Sequence, residues 1–177
     1  MIMSTKRLKA HLEPLINDKV GNLSTIRLGT KALGYWLYKF TKDKDADDTL
    51  RLFEKIVKSG KHLAFMAHFN HTVELETPAV EKAIKRIRNT GVEIRTQSPV
   101  MRHINDSAKV WRDMWKKQVK LGCVPYYFFV ARDTGAQDYF AVPLAKAHEI
   151  FQKAYQQVSG LSRTVRGPSM SAHPGKV

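Results

Sequence analysis

The ten residues HLAFMAHFNH at positions 62–71 decide the fold. The run from His62 to His68 is almost wholly apolar and has the length of a strand. Such a run is typical of a strand that is covered on both faces, as in parallel sheets. Polar residues then follow at once, at His68, Asn70 and His71. The stretch therefore predicts a buried strand that ends at a polar loop.

Similar segments recur on both sides of this strand. Further strands are predicted at 24–30, 92–97 and 124–130, with a short one at 163–166. Helices are predicted at 4–16, 45–59, 77–90, 107–121 and 143–158. Alternation at about 30 residues indicates βαβ units, an α/β fold and a parallel sheet. Both a doubly wound open sheet and a (β/α) barrel fit. We expect the four longer strands side by side in chain order, with helices on the outer face only.

Helix-capping signals support these boundaries. Thr77 is a predicted N-cap, Pro78 begins the first turn, and Gly60, Gly91 and Gly122 follow helix ends. The segment 167–177 is rich in Gly, Pro and Ser and predicts an irregular tail after a first part at 1–166.

Composition limits the function classes. The 177 residues carry a net charge of +14, and the sequence pI is about 10.0. The basic residues are spread along the chain beside acids, so a basic nucleic-acid-binding α/β module is an alternative but not the favoured reading. No apolar run reaches the roughly 18 residues of a membrane span, and no signal peptide is evident, so we expect a cytoplasmic protein.

Cys123 is the only cysteine. It cannot form an internal disulfide, and an iron–sulfur cluster needs about three or four thiolates. The chain therefore holds no cluster by itself.

Polar side chains follow successive predicted strands, where functional groups gather in parallel α/β proteins. They are Arg27 and Thr30; His68, Asn70 and His71; Gln97 and Ser98; Arg132 and Asp133; and Arg166. Turn formers alone would give mainly Gly, Asp and Asn here, so this pattern favours a site.

Individual motifs leave alternatives open. His68 and His71 are spaced for two metal ligands, but no further ligand has a motif spacing, so contact with a cofactor is favoured over zinc. Thr96-Gln97-Ser98 predicts a turn that either caps a strand or binds a ligand. Lys176 is either a solvated charge or a Schiff-base lysine on a glycine-containing loop.

Several runs together resemble the lysine 2,3-aminomutase family. They are IRLGT (26–30), AHFNH (67–71), TQSPVMRHIND (96–106), VPYYFFV (124–130), VSGLSRT (158–164) and PGK (174–176). The resemblance implies a partial (β/α) barrel of the radical-SAM type with S-adenosylmethionine, pyridoxal phosphate and a [4Fe–4S] cluster. It implies transfer of an amino group from C2 to C3 of an amino acid.

The resemblance also implies roles for single residues. Lys176 matches the lysine that bonds to pyridoxal phosphate. His68, Asn70, Gln97 and Ser98 match strand-end positions that face S-adenosylmethionine and the phosphate cofactor. Arg27 and Thr30 match the strand end near the nucleoside.

The sequence departs from the family pattern in three ways. The motif C-x-x-x-C-x-x-C is absent, so an isolated chain is expected to be inactive. The chain is expected to be a C-terminal fragment that also stops short after Lys176. Finally, carboxylates near the substrate's distal ammonium are replaced by Arg132, with Asp133 beside it, and by Ser169. A cation there favours a glutamate-like substrate, whereas a one-residue shift would restore Asp133.

Three hypotheses follow: an aminomutase fragment, a nucleic-acid-binding module, and a different enzyme on the same barrel that leaves Lys176 unused. For the first, the expected partners are an amino-acid substrate, a reductant protein such as flavodoxin or ferredoxin, and further copies of the chain in a homo-oligomer. Nucleic acid and membrane are not expected partners.

Overall fold

A computed structural model describes residues 3–16, 20–131, 135–172 and 175–176, with side chains described up to residue 170. The chain forms two compact units. Unit 1 comprises Met1–His68 and Thr77–Arg95, and unit 2 comprises Phe69–Glu76 and Thr96–Val177.

The five longer strands form one parallel sheet in the order β1-β2-β3-β4-β5. They are β1 (Thr25–Thr30), β2 (His62–His68), β3 (Glu93–Val100), β4 (Val124–Val130) and β5 (Arg166–Ser169). The predicted α/β class and the chain-order arrangement of strands are confirmed, and the sheet is consistent with a partial (β/α) barrel.

Helices flank the sheet. They are α1 (Thr5–Leu12), α2 (Ala32–Tyr35), α3 (Ala46–Lys58), α4 (Pro78–Arg88), α5 (Ala108–Lys120), α6 (Gln137–Phe140) and α7 (Leu144–Gln156). The one-turn helices α2 and α6 were not predicted because four residues are too few to show a helical period. Among the described residues, no helix is long and apolar enough to cross a membrane.

Unit 1 packs one face of β1 and β2 against its helices. Leu28 of β1 lies opposite Phe65 of β2 in the parallel register. The Phe65 ring makes edge contacts with Phe40, at 5.6 Å between centroids, and with Phe53 of α3, at 6.0 Å. All three phenylalanines are fully buried. Side chains alternate along a strand, so Arg27, which lies opposite Ala64, belongs to the other face.

Unit 2 repeats this arrangement around β4. The ring of Phe128 lies 4.3 Å from that of Trp111 in α5 and 5.4 Å from that of Phe151 in α7. Trp115 contacts both Trp111 and Phe151. Four aromatic side chains thus fix α5 and α7 against the strand, and each buries a large apolar area.

The predicted capping residues are confirmed, although the first helix, predicted at 4–16, ends at Leu12 and is followed by a 3₁₀ helix at Glu13–Ile16. Thr77 accepts a hydrogen bond from the Val80 amide and precedes Pro78 at the first turn of α4. Gly60, Gly91 and Gly122 all have positive φ, in the left-handed region that glycine adopts without a steric penalty.

Three local predictions differ from the structure. Residues 96–98 lie inside β3, which continues to Val100, and do not form a turn. The last parallel strand begins at Arg166, since 160–164 form a 3₁₀ helix. In the expected irregular tail, Ser171–Ala172 and Gly175–Lys176 pair as the antiparallel strands β6 and β7.

A buried ion pair joins α1 to the start of α3 in unit 1. Lys39 Nζ lies 2.8 Å from both carboxylate oxygens of Asp45, and the backbone and hydroxyl of Thr5 donate to Asp45 Oδ2. The Lys39 side chain is only 4% exposed, whereas that of Asp45 is 24% exposed. These bonds lower the pKa of Asp45 well below its usual value; the hydrogen bond from Lys39 is the largest cause, and that from the Thr5 amide is the next.

Loss of Asp45 is expected to cost more stability than loss of Lys39. Asp45→Asn leaves a buried ammonium without a counter-charge, at about 3–5 kcal/mol in the free energy of unfolding. Lys39→Met leaves a carboxylate that is partly exposed and still accepts from Thr5. Urea unfolding measures both changes. The exposed Lys58–Glu54 pair supplies the control Glu54→Gln, expected to cost less than about 1 kcal/mol. Equal costs for Asp45→Asn and Glu54→Gln would contradict this reading.

Candidate active site

Two predicted site residues lie at adjacent strand ends in unit 1. Thr30 ends β1 and lies opposite Ala67, the residue before His68 at the end of β2. The Thr30 hydroxyl accepts a hydrogen bond from the Ala32 amide at 3.0 Å and so directs the chain into α2. Thr30 is buried and His68 half-buried, whereas Arg27 is exposed and lies three residues before the strand end.

The His68 imidazole is held in its neutral form. Burial is the larger cause that lowers the His68 pKa, and the positive charge of Lys31 adds to it. A neutral imidazole carries one hydrogen-bond donor, one acceptor and no charge. It therefore suits an uncharged polar ligand better than an anion, which a positively charged imidazolium would attract.

In unit 2, the loop after β2 is fixed by Glu74. Its carboxylate accepts from the amides of Asn70 and His71, and His71 Nδ1 accepts from the Val73 amide. This is a capping box for the 3₁₀ turn Thr72–Leu75. His71 is therefore committed to the loop, and no cluster of three or more His, Cys, Asp or Glu side chains suited to a metal occurs in the described ranges.

Asn70 and Ser98 are brought together in unit 2. The Ser98 hydroxyl donates to Asn70 Oδ1 at 3.3 Å, and Ser98 is 2% exposed. The Asn70 side-chain nitrogen has no hydrogen bond to the described part of the chain. Ser98 thus orients the Asn70 amide, whose two N–H groups have no partner among the described residues and can serve a ligand.

Gln97 lies on the opposite face of β3 from its neighbours. Thr96 and Ser98 are buried, and Thr96 donates to Gln118 of α5 at 2.7 Å. Gln97 is half-buried, and its amide forms no hydrogen bond within the residues described. A half-buried amide in the second half of a parallel strand, without a partner among the described residues, is a candidate for ligand contact.

The sequence reasoning missed Asn105 as a site residue. Its side chain is fully buried and joins the loop after β2 to the end of β3. Nδ2 donates to the carbonyl oxygens of Asn70 and Pro99, at 2.9 and 3.0 Å, and Oδ1 accepts from the Met101 amide at 2.7 Å. The only available signal was an amide residue within TQSPVMRHIND, which also fits a helix cap.

The structure describes the other four predicted residues to different extents. Arg132 and Asp133 lie outside the described residues. Ser169 is half-buried in β5 and pairs with Phe129 of β4. The backbone of Lys176 pairs with Ser171 in the β6–β7 hairpin, and its side chain lies outside the described part.

The residues fit the implied cofactors unequally. In unit 2, Asn70 and Gln97 supply amides whose nitrogens have no hydrogen-bond partner among the described residues, and such amides suit a polar small molecule. A [4Fe–4S] cluster does not fit, because Cys123 is the only cysteine and is 1% exposed.

The parallel sheet flanked by helices makes this an α/β protein consistent with a partial (β/α) barrel. No protein-family model matches the chain. It is 29% identical to a putative L-lysine 2,3-aminomutase of Aquifex aeolicus, over the whole chain and 46% of that protein. Identity to the L-lysine 2,3-aminomutase of Fusobacterium nucleatum is 31%, over 90% of the chain and 35% of that protein.

A glutamate 2,3-aminomutase of Clostridioides difficile is 23% identical over 81% of the chain and 32% of its own length. The chain is therefore a homologue of the lysine 2,3-aminomutase family, as the sequence resemblance indicated. It spans less than half the length of these curated relatives.

The neutral His68 predicts a pH dependence of stability. Because its pKa is lowered in the folded state, the unfolded chain binds the imidazole proton more readily, with a pKa of about 6.5. The stability contribution is therefore complete above about pH 6.5 and is lost as the pH falls through the folded-state value. Between about pH 7 and 5, urea unfolding should show a steeper loss for the parent than for His68→Gln. His62→Gln, at the exposed start of the same strand, is the control. Parallel curves for the parent and His68→Gln would exclude this role for burial.

Proposed function

We propose that the chain forms the cofactor- and substrate-facing part of a 2,3-aminomutase, which moves an amino group from C2 to C3 of an amino acid. Homology with both lysine and glutamate 2,3-aminomutases, extending over the whole chain in one relative, is the observation that supports this most strongly. The polar residues at the strand ends of each unit agree with it.

The implied cofactors are S-adenosylmethionine and pyridoxal phosphate. When bound, S-adenosylmethionine supplies the radical that abstracts hydrogen, and pyridoxal phosphate supplies a carrier for the migrating nitrogen. The chain's own residues bind and orient. Asn70, held by Ser98, and Gln97 donate amide N–H groups, and His68 accepts or donates one hydrogen bond without adding charge.

The residues of this chain do not supply the ligands of a [4Fe–4S] cluster. A lone buried Cys123 does not supply three or four thiolates, so no radical-forming step is assigned to these residues. Their part in the reaction is to position the cofactor and substrate and to exclude water.

The substrate is proposed to carry an acidic side chain. The family resemblance matches Arg132 to a position where members that act on lysine have a carboxylate, and it matches Ser169, a neutral hydroxyl, to a second such position. An arginine binds a carboxylate in a bidentate manner and repels an ammonium. A glutamate-like amino acid is therefore favoured over lysine.

Lys176 is expected to be the residue that bonds to pyridoxal phosphate. After incubation with less than one equivalent of cofactor and borohydride reduction, peptide mass spectrometry should place the adduct on Lys176. Lys176→Ala should remove it. Lys146 and Lys153 provide the comparison, because both are paired with Glu149, at 3.0 and 2.6 Å. The hydrogen bond from Lys153, which is the larger cause, and that from Lys146 lower the pKa of Glu149 to about 2. An adduct that maps mainly to Lys146 or Lys153 would refute the role proposed for Lys176.

Charge reversal at Arg132 should change the choice of amino acid. Equilibrium dialysis of the chain loaded with pyridoxal phosphate should show that Arg132→Glu weakens glutamate binding by about tenfold or more and strengthens lysine binding relative to it. Arg51→Glu is a matched charge reversal on α3, where Arg51 is paired with Asp48 and 69% exposed. If both reversals change the two affinities equally, Arg132 does not select the substrate.

A further inference from the structure

Both polar atoms of the Asn105 side chain form hydrogen bonds with backbone groups. Its two N–H groups meet the carbonyl oxygens of Asn70 and Pro99, and its oxygen meets the Met101 amide. The side chain is fully buried. A buried amide satisfied at every position specifies one geometry, because loss of any partner leaves a polar group without water.

Asn105 is itself held by the core of unit 2. Trp111 Nε1 donates to the Asn105 carbonyl oxygen at 2.7 Å, and the Trp111 ring packs on Phe128 of β4. Trp111 is 1% exposed. The aromatic core thus fixes Asn105, and Asn105 fixes the loop that carries Asn70.

We propose that Asn105 is a positioning residue, which fixes the backbone of Asn70 and the end of β3 so that the Asn70 side-chain nitrogen is presented to a ligand. This inference rests on the proposed function, in which Asn70 binds a polar cofactor. Ser98 sets the orientation of the Asn70 side chain, and Asn105 sets the position of its backbone.

The chemistry requires an amide at this position. Aspartate keeps the acceptor for the Met101 amide but places a carboxylate oxygen against the carbonyls of Asn70 and Pro99. Serine is too short to span all three partners and leaves polar groups unsatisfied. Asn105→Ser and Asn105→Asp therefore disturb the same loop by two different routes, so that one remains informative if the other does not fold.

The test measures affinity for S-adenosylmethionine by ligand-observed NMR titration. Each Asn105 variant should raise the Kd about tenfold, the usual order for a lost supporting hydrogen bond. Asn70→Ala should do the same, and Asn105→Ser in the Asn70→Ala background should add no further loss. Asp106→Asn, an exposed neighbour in the same loop, should leave the Kd unchanged. A loss that adds fully in the double variant would overturn the inference, because Asn105 would then act independently of Asn70.

Hydrogen–deuterium exchange separates this inference from the proposed function. Asn105→Ser should speed exchange at least tenfold in peptides covering 69–74 and 100–105, with the centre of α7 unchanged. A parent chain that does not bind S-adenosylmethionine would contradict the proposed function, and exchange alone would then decide the role of Asn105. Unchanged exchange in both peptides would overturn that role, whatever the binding result.

Discussion

The parallel pairing of the strands is the constraint on which the rest of the structure depends. In the β1–β2 register, each residue of β1 meets a residue of β2 that runs in the same direction, up to Thr30 opposite Ala67. Two parallel strands that are paired in this register end at the same edge, so Thr30 and His68 lie at adjacent strand ends although they are 38 positions apart in sequence. The connections between the strands are long enough for helices, which flank the sheet.

The two-residue period of a strand then divides the polar residues by role. In β3, Thr96 and Ser98 point to the buried face and form hydrogen bonds with Gln118 and Asn70, whereas Gln97 on the other face has no such partner in the described part of the chain. Burial of a hydroxyl without a partner would cost free energy, so each buried hydroxyl fixes a neighbouring element. Two of the three residues therefore form structural hydrogen bonds, and the third presents its amide on the other face.

The regular elements were predictable because their signals are local. HLAFMAH and VPYYFFV give strands with the predicted bounds, and glycines 60, 91 and 122 end helices through a backbone conformation that depends on a single residue. The extent of β3 was not predictable. TQSP contains turn-forming residues, and the strand continues through it only because Gln118 and Asn70, distant in sequence, satisfy its hydroxyls. Asn105 was missed for the same reason, since its partners are backbone groups that only the fold brings near.

The pairing of charged side chains is another feature that the fold shows and the local sequence does not. The net charge of +14 suggests a polyanionic partner. Several of the cations form ion pairs within the fold: Lys39 with Asp45, Lys55 with Glu13, and Lys146 and Lys153 with Glu149. Such pairs are short-range and screened by salt, so they add little stability when exposed, yet they give these cations a counter-charge within the protein. The net charge of +14 already subtracts these acids, so the pairs leave it unchanged and show only where the charge is matched locally. In unit 2, the side chains of Asn70 and Gln97 are uncharged amides, so any ligand that they contact would be recognised by hydrogen-bond geometry and not by charge.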